Sequence, residues 1–231
     1  MDYQLSVIIP CYNEKNTILK LLELVRKVPI SKEIIIVCDG STDGTRDLLT
    51  REIKKAADDS FCVVFHETNK GKGASIQSGL KAARGKIVIT QDADLELNPE
   101  DYIHLLRPFK NDAEVVFGTR FANGYGNMPS YSKFANWCVT FLANILFNAN
   151  ISDEACGYKV MNLELYKSLN LECEGFDICP EITAKVCRKN IKIHEVPVKF
   201  NPRSFHEGKK IHWRHGFEAV WKLLKYRFIN I

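Results

Sequence analysis

The chain has 231 residues, 45% apolar and 26% charged, values of a globular protein with room for one sizeable α/β domain and a real core but not for two large ones. Its eight cysteines contain no C-x-x-C pair and no paired His spacing, which argues against a zinc motif or a disulfide framework and reads as reduced core residues of a cytosolic protein. The net charge of +4 is uneven, because Lys199 to Arg227 holds eight Lys/Arg against Glu207 and Glu218, a basic tail suited to phosphate groups or an anionic membrane surface. Its aromatic residues follow no nucleic-acid-binding pattern, so nucleic acid is not an expected partner.

Met1-Asp2-Tyr3-Gln4 runs straight into strand-like Leu5–Ile9, with no basic-then-apolar leader. Short β-rich runs then alternate with amphipathic segments of helical length: a helix around Thr17–Val28, a strand Glu33–Cys38, a helix Thr45–Ala57, a strand Phe61–His66, a helix Ala74–Ala83 and a strand Lys86–Gln91. This alternation predicts βαβ units and a mostly parallel sheet, whose ligands gather at the C-terminal ends of the strands. Pro10 to Glu14, Asp39 to Gly44 and Asp92 to Asp94 all fall there. Asn98 is placed to cap a further helix with Pro99 at its first position, and strand-like Glu114–Phe117 follows, ending at Gly118-Thr119-Arg120.

The Gly-rich stretch Asn123 to Pro129 reads as a mobile loop. The helix expected over Tyr131–Asn148 is apolar on more than one face, is interrupted by Asn136, Thr140 and Asn144, and is too short an apolar run to span a bilayer. Deep burial is the expectation for it, with a lipid-facing side as the alternative. After Ala155–Met161 come a helix near Pro180–Lys189, a strand Ile191–Phe200 and a final helix from about Arg214. That helix sets Phe217, Val220, Trp221, Leu224 and Phe228 on one side and Lys222, Lys225 and Arg227 around the rest, as a helix at a bilayer surface or one docked on a core would.

The run Ile87-Val88-Ile89-Thr90-Gln91-Asp92-Ala93-Asp94-Leu95-Glu96 delivers two carboxylates one residue apart. In an extended strand residues i and i+2 point the same way, so Asp92 and Asp94 can converge on one hard divalent cation that also takes diphosphate oxygens. Asp as an ordinary turn residue after a strand is the plain alternative.

Together with that pair, Ile9-Pro10-Cys11-Tyr12-Asn13-Glu14, Val37-Cys38-Asp39-Gly40-Ser41-Thr42-Asp43-Gly44-Thr45 and Asn69-Lys70-Gly71-Lys72-Gly73-Ala74 resemble, in the same order, the motifs of the inverting family 2 glycosyltransferases. Gly118-Thr119-Arg120, Ile151 to Lys159, Glu195-Val196-Pro197-Val198 and Arg203 to Ile211 look like the dolichol- or polyprenol-phosphate sugar synthases within it. The resemblance implies a GT-A (Rossmann-like) fold in a single domain over 1–231. Residues up to about 120 would form the nucleotide-sugar half, and the remainder, with its basic amphipathic C-terminal helix, the acceptor half. It also implies transfer of a hexose or N-acetylhexosamine from a GDP- or UDP-linked sugar to a polyprenyl or dolichyl phosphate, with Mg²⁺ or Mn²⁺, by a protein peripheral on the cytosolic face of a membrane, either alone or with a membrane subunit. Transfer to a saccharide or protein hydroxyl, and a non-catalytic nucleotide-sugar-binding subunit, are the other readings.

By the same resemblance Pro10, Tyr12, Glu14 and Asp39 line the nucleoside pocket, although Glu14 also suits a helix N-terminus and Asp39 a turn. Asp92 and Asp94 carry the metal and diphosphate, with Glu96 a third oxygen ligand. The Asn69 to Ala74 segment matches neither common phosphate-loop pattern and reads as a tight lead into a helix whose backbone approaches the donor, with Lys72 either a donor ligand or a solvated lysine. A guanidinium fork suits phosphate oxygens, which assigns Arg203 to the donor diphosphate and Arg120 to the acceptor phosphate, joined by Lys133, Lys209 and Lys210. Asp153 either orients the sugar or acts as base. The chain departs from the family at Cys38, where an acid is usual, and at Ser132, where Arg is. A phosphate monoester is largely ionised at neutral pH, its second pKa being near 6, so a lipid-phosphate acceptor has no need of a base.

Overall fold

The computed structural model describes residues 4–55, 59–121, 128, 130–203 and 214–229. Seven strands form one sheet: β1 Leu5–Cys11, β2 Lys32–Asp39, β3 Phe61–His66, β4 Ile87–Thr90, β5 Val115–Thr119, β6 Lys159–Asn162 and β7 Ile193–Pro197, in the order β3-β2-β1-β4-β6-β5-β7. The β-branched runs of β1 and β2 pair in parallel from Leu5 opposite Lys32 to Cys11 opposite Cys38, and β1–β4, β2–β3 and β5–β7 are parallel too. β6 runs antiparallel to both neighbours, β4 and β5.

Because strand side chains alternate between faces, Leu5, Val7, Ile9 and Cys11 enter one core and Ile8 the other. The first core is closed by α1 Ile18–Lys27, whose Ile18, Leu21, Leu22 and Val25 form one apolar stripe, by Leu49 of α2 Thr45–Lys55 and by α4 Tyr102–Leu105. The second is closed by α3 Lys72–Ala82, α5 Ser130–Phe147, α6 Leu163–Ser168, α7 Ile178–Arg188 and α8 Arg214–Phe228. Helices therefore cover both faces of a mostly parallel sheet. All eight cysteines are free.

The expected helix after Asn98 is a short 3₁₀ turn, Pro99–Asp101, followed by the single turn of α4, with the Asn98 side chain capping Glu100 N–H as anticipated. The deep burial expected for Tyr131–Asn148 is not what α5 shows. Only Asn136, Val139, Thr140 and Ala143 are buried, while Phe134, Trp137, Phe141 and Ile145 stand 66%, 52%, 51% and 63% exposed along the opposite side. Phe134, Trp137 and Phe141 stack in sequence, with centroids 6.1 and 5.3 Å apart. On α8, which packs against α5 and α7, Leu223 and Tyr226 face inward and Phe217, Trp221 and Phe228 face out.

Candidate active site

The paired aspartates do not lie in the strand. β4 ends at Thr90, and Asp92-Ala93-Asp94 forms a turn in which Leu95 adopts φ 64° and Glu96 N–H donates to Asp94 Oδ1 at 3.0 Å. The turn rests on Gln91, whose buried Oε1 accepts from the Tyr102 and Tyr158 hydroxyls at 2.7 and 2.8 Å while its Nε2 donates to the carbonyls of Asp92 and Leu97. Behind Asp92, the carbonyl of Gly157 accepts from Thr90 Oγ1 at 2.6 Å, and a Cβ at position 157 would overlap Asp92 Oδ2. Glycine at 157 is thus the condition for this placement of the Asp92 carboxylate.

Both aspartates meet cations of the chain itself. The Lys72 ammonium is paired with Asp92, and Arg203 Nη2 lies 3.3 Å from Asp94 while its guanidinium also reaches Glu14 at 3.2 Å. Burial, followed by the charges of Asp92 and Glu96, pushes Asp94 up to about 7 against the opposing pull of Arg203. The cleft therefore holds an excess of closely spaced carboxylate charge that demands cationic company. Among the described residues no cluster of three or more His, Cys, Asp or Glu side chains is arranged around a metal position. Glu96 instead accepts from Arg203 N–H at 2.9 Å through Oε1, fixing the strand-exit segment that carries the guanidinium. An all-oxygen pair of carboxylates fits Mg²⁺ or Mn²⁺ that completes its shell with diphosphate and water, the usual habit of these ions.

Pro10 and Tyr12 lie half-buried at the end of β1, and Glu14, which follows, is buried. Glu14 does meet a helix start: its Oε2 accepts from Thr17 Oγ1 at 2.7 Å, and the same carboxylate holds Arg203, so the helix-terminus role and a place in the cleft coexist. Asp39 turns out to be committed to its neighbours. Its oxygens accept from Lys70 N–H at 2.9 Å and Gly71 N–H at 2.8 Å and meet His66 Nδ1 at 2.7 Å, so this carboxylate ties β2 to the segment before α3. In the Asn69 to Ala74 segment, the N–H groups of Gly73 and Ala74 donate to the Glu174 carbonyl, and a Cβ on Gly71 or Gly73 would strike the backbone of Glu174 or Cys173. The glycines serve close packing of chain on chain, and the N–H groups of Gly73 and Ala74 are taken by Glu174.

Arg120, after β5, is not presented as an open fork. Its Nε and Nη2 donate to Asp153 at 2.7 Å each, its own N–H adds a third bond to Asp153, and the guanidinium lies over the Phe121 and Phe200 rings. Burial alone would lower the Arg120 pKa, but the Asp153 carboxylate overrides it and holds the cation firmly charged. Asp153 is fully buried, and its N–H and that of Ser152 donate to Glu195. Lys133 sits half-buried in the first turn of α5, and Lys209 and Lys210 lie outside the described residues.

Sequence reading overlooked Gln91, the steric role of Gly157 and the anchoring role of Glu195. It noted Asn136, Thr140 and Asn144 only as interruptions. At i, i+4 and i+8 they share one side of α5 and fasten the Ile151–Ala155 segment: Asn136 Oδ1 accepts from Ala155 N–H, Thr140 Oγ1 from Glu154 N–H, and Asn144 exchanges two bonds with Ile151. A repeated polar position at helical spacing within an apolar helix was the signal.

Comparison with known proteins bears on the family and the fold. The chain is 29% identical over 87% of its length to the undecaprenyl-phosphate mannosyltransferase of Micrococcus luteus, covering 85% of that protein. It is 27% identical to the UDP-N-acetylglucosamine–dolichyl-phosphate N-acetylglucosaminyltransferase of Methanococcus voltae, over 96% of each chain. In fold it is similar to glucosyl-3-phosphoglycerate synthase of Mycobacterium tuberculosis, solved with Mn²⁺, UDP and phosphoglyceric acid, with a TM-score of 0.74 at 19% identity over 99% of this chain and 80% of that one. The sheet and its flanking helices are those of a GT-A glycosyltransferase. With the profile of the glycosyl transferase family 2 matching residues 6–169, the chain belongs to that family.

Proposed function

We propose that this enzyme transfers a hexose or N-acetylhexosamine from a GDP- or UDP-linked sugar to a polyprenyl or dolichyl phosphate at a membrane surface, with Mg²⁺ or Mn²⁺ as cofactor. The observation that carries this reading is the engagement of Asp153. The acidic residue best placed by sequence to be a base has both oxygens bound to Arg120 and is sealed from solvent, a poor arrangement for accepting a proton from a hydroxyl. A lipid phosphate arrives already ionised and asks only to be held and aimed. The relatives' names, which specify lipid-phosphate acceptors, support the same choice.

In this reading Pro10, Tyr12, Glu14 and Asp39 form the wall on which the nucleoside settles, Asp39 acting through the loop it fastens. Asp92 and Asp94 would hold the divalent ion, which would supply Lewis-acid neutralisation of the leaving diphosphate. Lys72 and Arg203, released from the aspartates, turn to the diphosphate oxygens. Arg120, oriented by Asp153, presents positive charge toward the acceptor with Lys133, Lys209 and Lys210. An acceptor phosphate oxygen then forms its bond to the sugar's anomeric carbon as the bond to the nucleotide diphosphate breaks, inverting that carbon with no proton moved.

No described helix is long and apolar enough to cross a membrane. The exposed aromatic sides of α5 and α8 supply an interfacial surface instead, suited to peripheral attachment at the cytosolic face. A membrane subunit is the other occupant for that surface, and binding of the purified chain to protein-free vesicles separates the two. The transfer itself is tested by incubating the chain with labelled UDP- and GDP-sugars, Mg²⁺ or Mn²⁺ and polyprenyl phosphate. A lipid-extractable labelled product is expected. Transfer only to a saccharide or protein, with no labelled lipid from any donor, would overturn the proposal.

A further inference from the structure

The helix that carries Lys72, α3, does not cap itself. Its N-cap is Gly71, at φ 99°, which has no side chain to take up the first free N–H groups. The Glu174 carbonyl does so instead, accepting from Gly73 N–H at 2.7 Å and Ala74 N–H at 3.1 Å, the second and third helical positions that a capping oxygen serves. Gln77 Nε2 adds a bond to the Cys173 carbonyl at 2.9 Å, and a Cβ at position 71 or 73 would strike the same stretch of backbone. The helix terminus that sets Lys72 against Asp92 is therefore capped from outside, and its placement depends on residues 172–174.

Glu181, on α7, holds those residues. Its carboxylate is fully buried and accepts from Glu172 N–H at 2.9 Å through Oε1 and from Cys173 N–H at 2.8 Å through Oε2. Oε1 also lies 2.8 Å from the Lys185 ammonium and accepts from the Tyr226 hydroxyl of α8 at 2.7 Å. Hydrogen bonds to an ionised acceptor are roughly twice as strong as neutral ones, so this carboxylate is a firm anchor. Tyr226 is 1% exposed, and Lys222 on the same helix pairs with Asp177 at 3.2 Å. The C-terminal helix is thus fastened at two points to the chain between α6 and α7 that caps α3.

Resting on the donor role proposed above for Lys72, we infer that Glu181 and Tyr226 are positioning residues for the donor diphosphate, holding the Glu174 carbonyl that caps α3 and through it the Lys72 ammonium. Neither touches the donor. On this account α8 supports the nucleotide site from its inner side while its outer side bears the exposed aromatics.

Nucleotide affinity distinguishes this role from a general contribution to stability. It is read calorimetrically on the full chain with UDP and GDP at saturating Mn²⁺, well below each variant's melting transition. Glu181→Gln, which puts an amide NH₂ among backbone donors, should weaken nucleotide about fivefold or more, and Tyr226→Phe about threefold. Glu33→Gln is the control: Glu33 is equally buried and hydrogen-bonded to Ser6, Arg84 and Gly85, but at the opposite end of β2 from the site. It should lower the melting point and leave affinity within about twofold. In a Lys72→Met background, itself a weaker binder, Glu181→Gln should cost less than about twofold more, because the group it positions is gone.

Wild-type affinity in folded Glu181→Gln overturns the inference, as does its full penalty persisting in the Lys72→Met background or an equal loss in Glu33→Gln. If Glu181→Gln fails to fold, Tyr226→Phe decides, and wild-type affinity there overturns it. Loss of affinity with Lys72→Met but with neither Glu181→Gln nor Tyr226→Phe would remove this inference alone and leave the proposed function standing. Wild-type affinity in Lys72→Met would remove the donor role of Lys72 and this inference with it.

Discussion

Asp153→Asn preserves shape while removing a charge and one acceptor oxygen from a fully buried position. In the native chain Asp153 receives Nε, Nη2 and the backbone N–H of Arg120, whose own side chain is only 12% exposed. The variant leaves an enclosed guanidinium without its counter-charge and turns an amide NH₂ toward existing donors. Removing one partner of a buried ion pair typically costs about 3–5 kcal/mol. For a domain of this size each kcal/mol moves the melting point by about 2–4 °C, so the transition should fall by roughly 6–20 °C. Calorimetry or a circular-dichroism melt reads this directly. Below the new transition, lipid-phosphate transfer should be reduced by a similar factor at every pH, because Asp153 acts by holding Arg120. A melting point lowered by less than about 2 °C, or activity that recovers as pH rises in the manner of a lost base, would refute this account of the pair.

Glu181 should show a different signature. Burial by itself would raise its pKa, but Lys185, the Cys173 and Glu172 N–H groups and the Tyr226 hydroxyl hold it below the usual carboxylate value. A depressed carboxylate contributes stability that is present above its unfolded pKa and disappears as pH falls through the folded one. Glu181→Gln should therefore be about 1–3 kcal/mol less stable at pH 7, with the gap closing below about pH 4 in urea titrations. Gly157→Ala should displace the Asp92 carboxylate and weaken Mn²⁺ binding, read by electron paramagnetic resonance, about tenfold or more; unchanged affinity would show that Asp92 tolerates the methyl group. The double variant Phe134→Glu/Phe228→Glu alters side chains 66% and 76% exposed. It should cut co-sedimentation with anionic vesicles at least about tenfold, since each aromatic is worth about 1.5–3 kcal/mol when buried, with the melting point unmoved.

The sequence is most transparent where one physical demand acts alone. β1, β2 and β3 are β-branched or aromatic runs with little other function, and their positions are readable to within two residues. β6 escaped because Lys159 interrupts its apolar pattern, yet Lys159 is only 1% exposed, lies over the Phe117 ring and donates to the Glu154 carbonyl. A lysine met by a carbonyl five residues back and by a ring some forty residues away cannot be told from a solvated one by pattern. The aspartate pair was found by spacing, but the strand geometry invoked for it was wrong in detail: a turn held by Gln91 and opened by Gly157 brings the carboxylates to the cleft. Arg120 and Asp153 were both singled out, and only the folded chain reveals that they bind each other. The exposed flank of α5 was masked because an apolar helix carries the same residues whether protein or lipid is to cover it.

The antiparallel β6 has a consequence for how such a chain can be divided. Residues 159–162 are threaded between β4 and β5, so the strand that delivers the aspartates completes its hydrogen bonding only after the polypeptide has travelled some seventy residues further and returned. Severing the molecule near position 120 would leave Ile87, Val88 and Ile89 as a bare apolar edge, an invitation to intermolecular pairing. The halves assigned to donor and acceptor are in this sense woven rather than joined, and neither is a transplantable module.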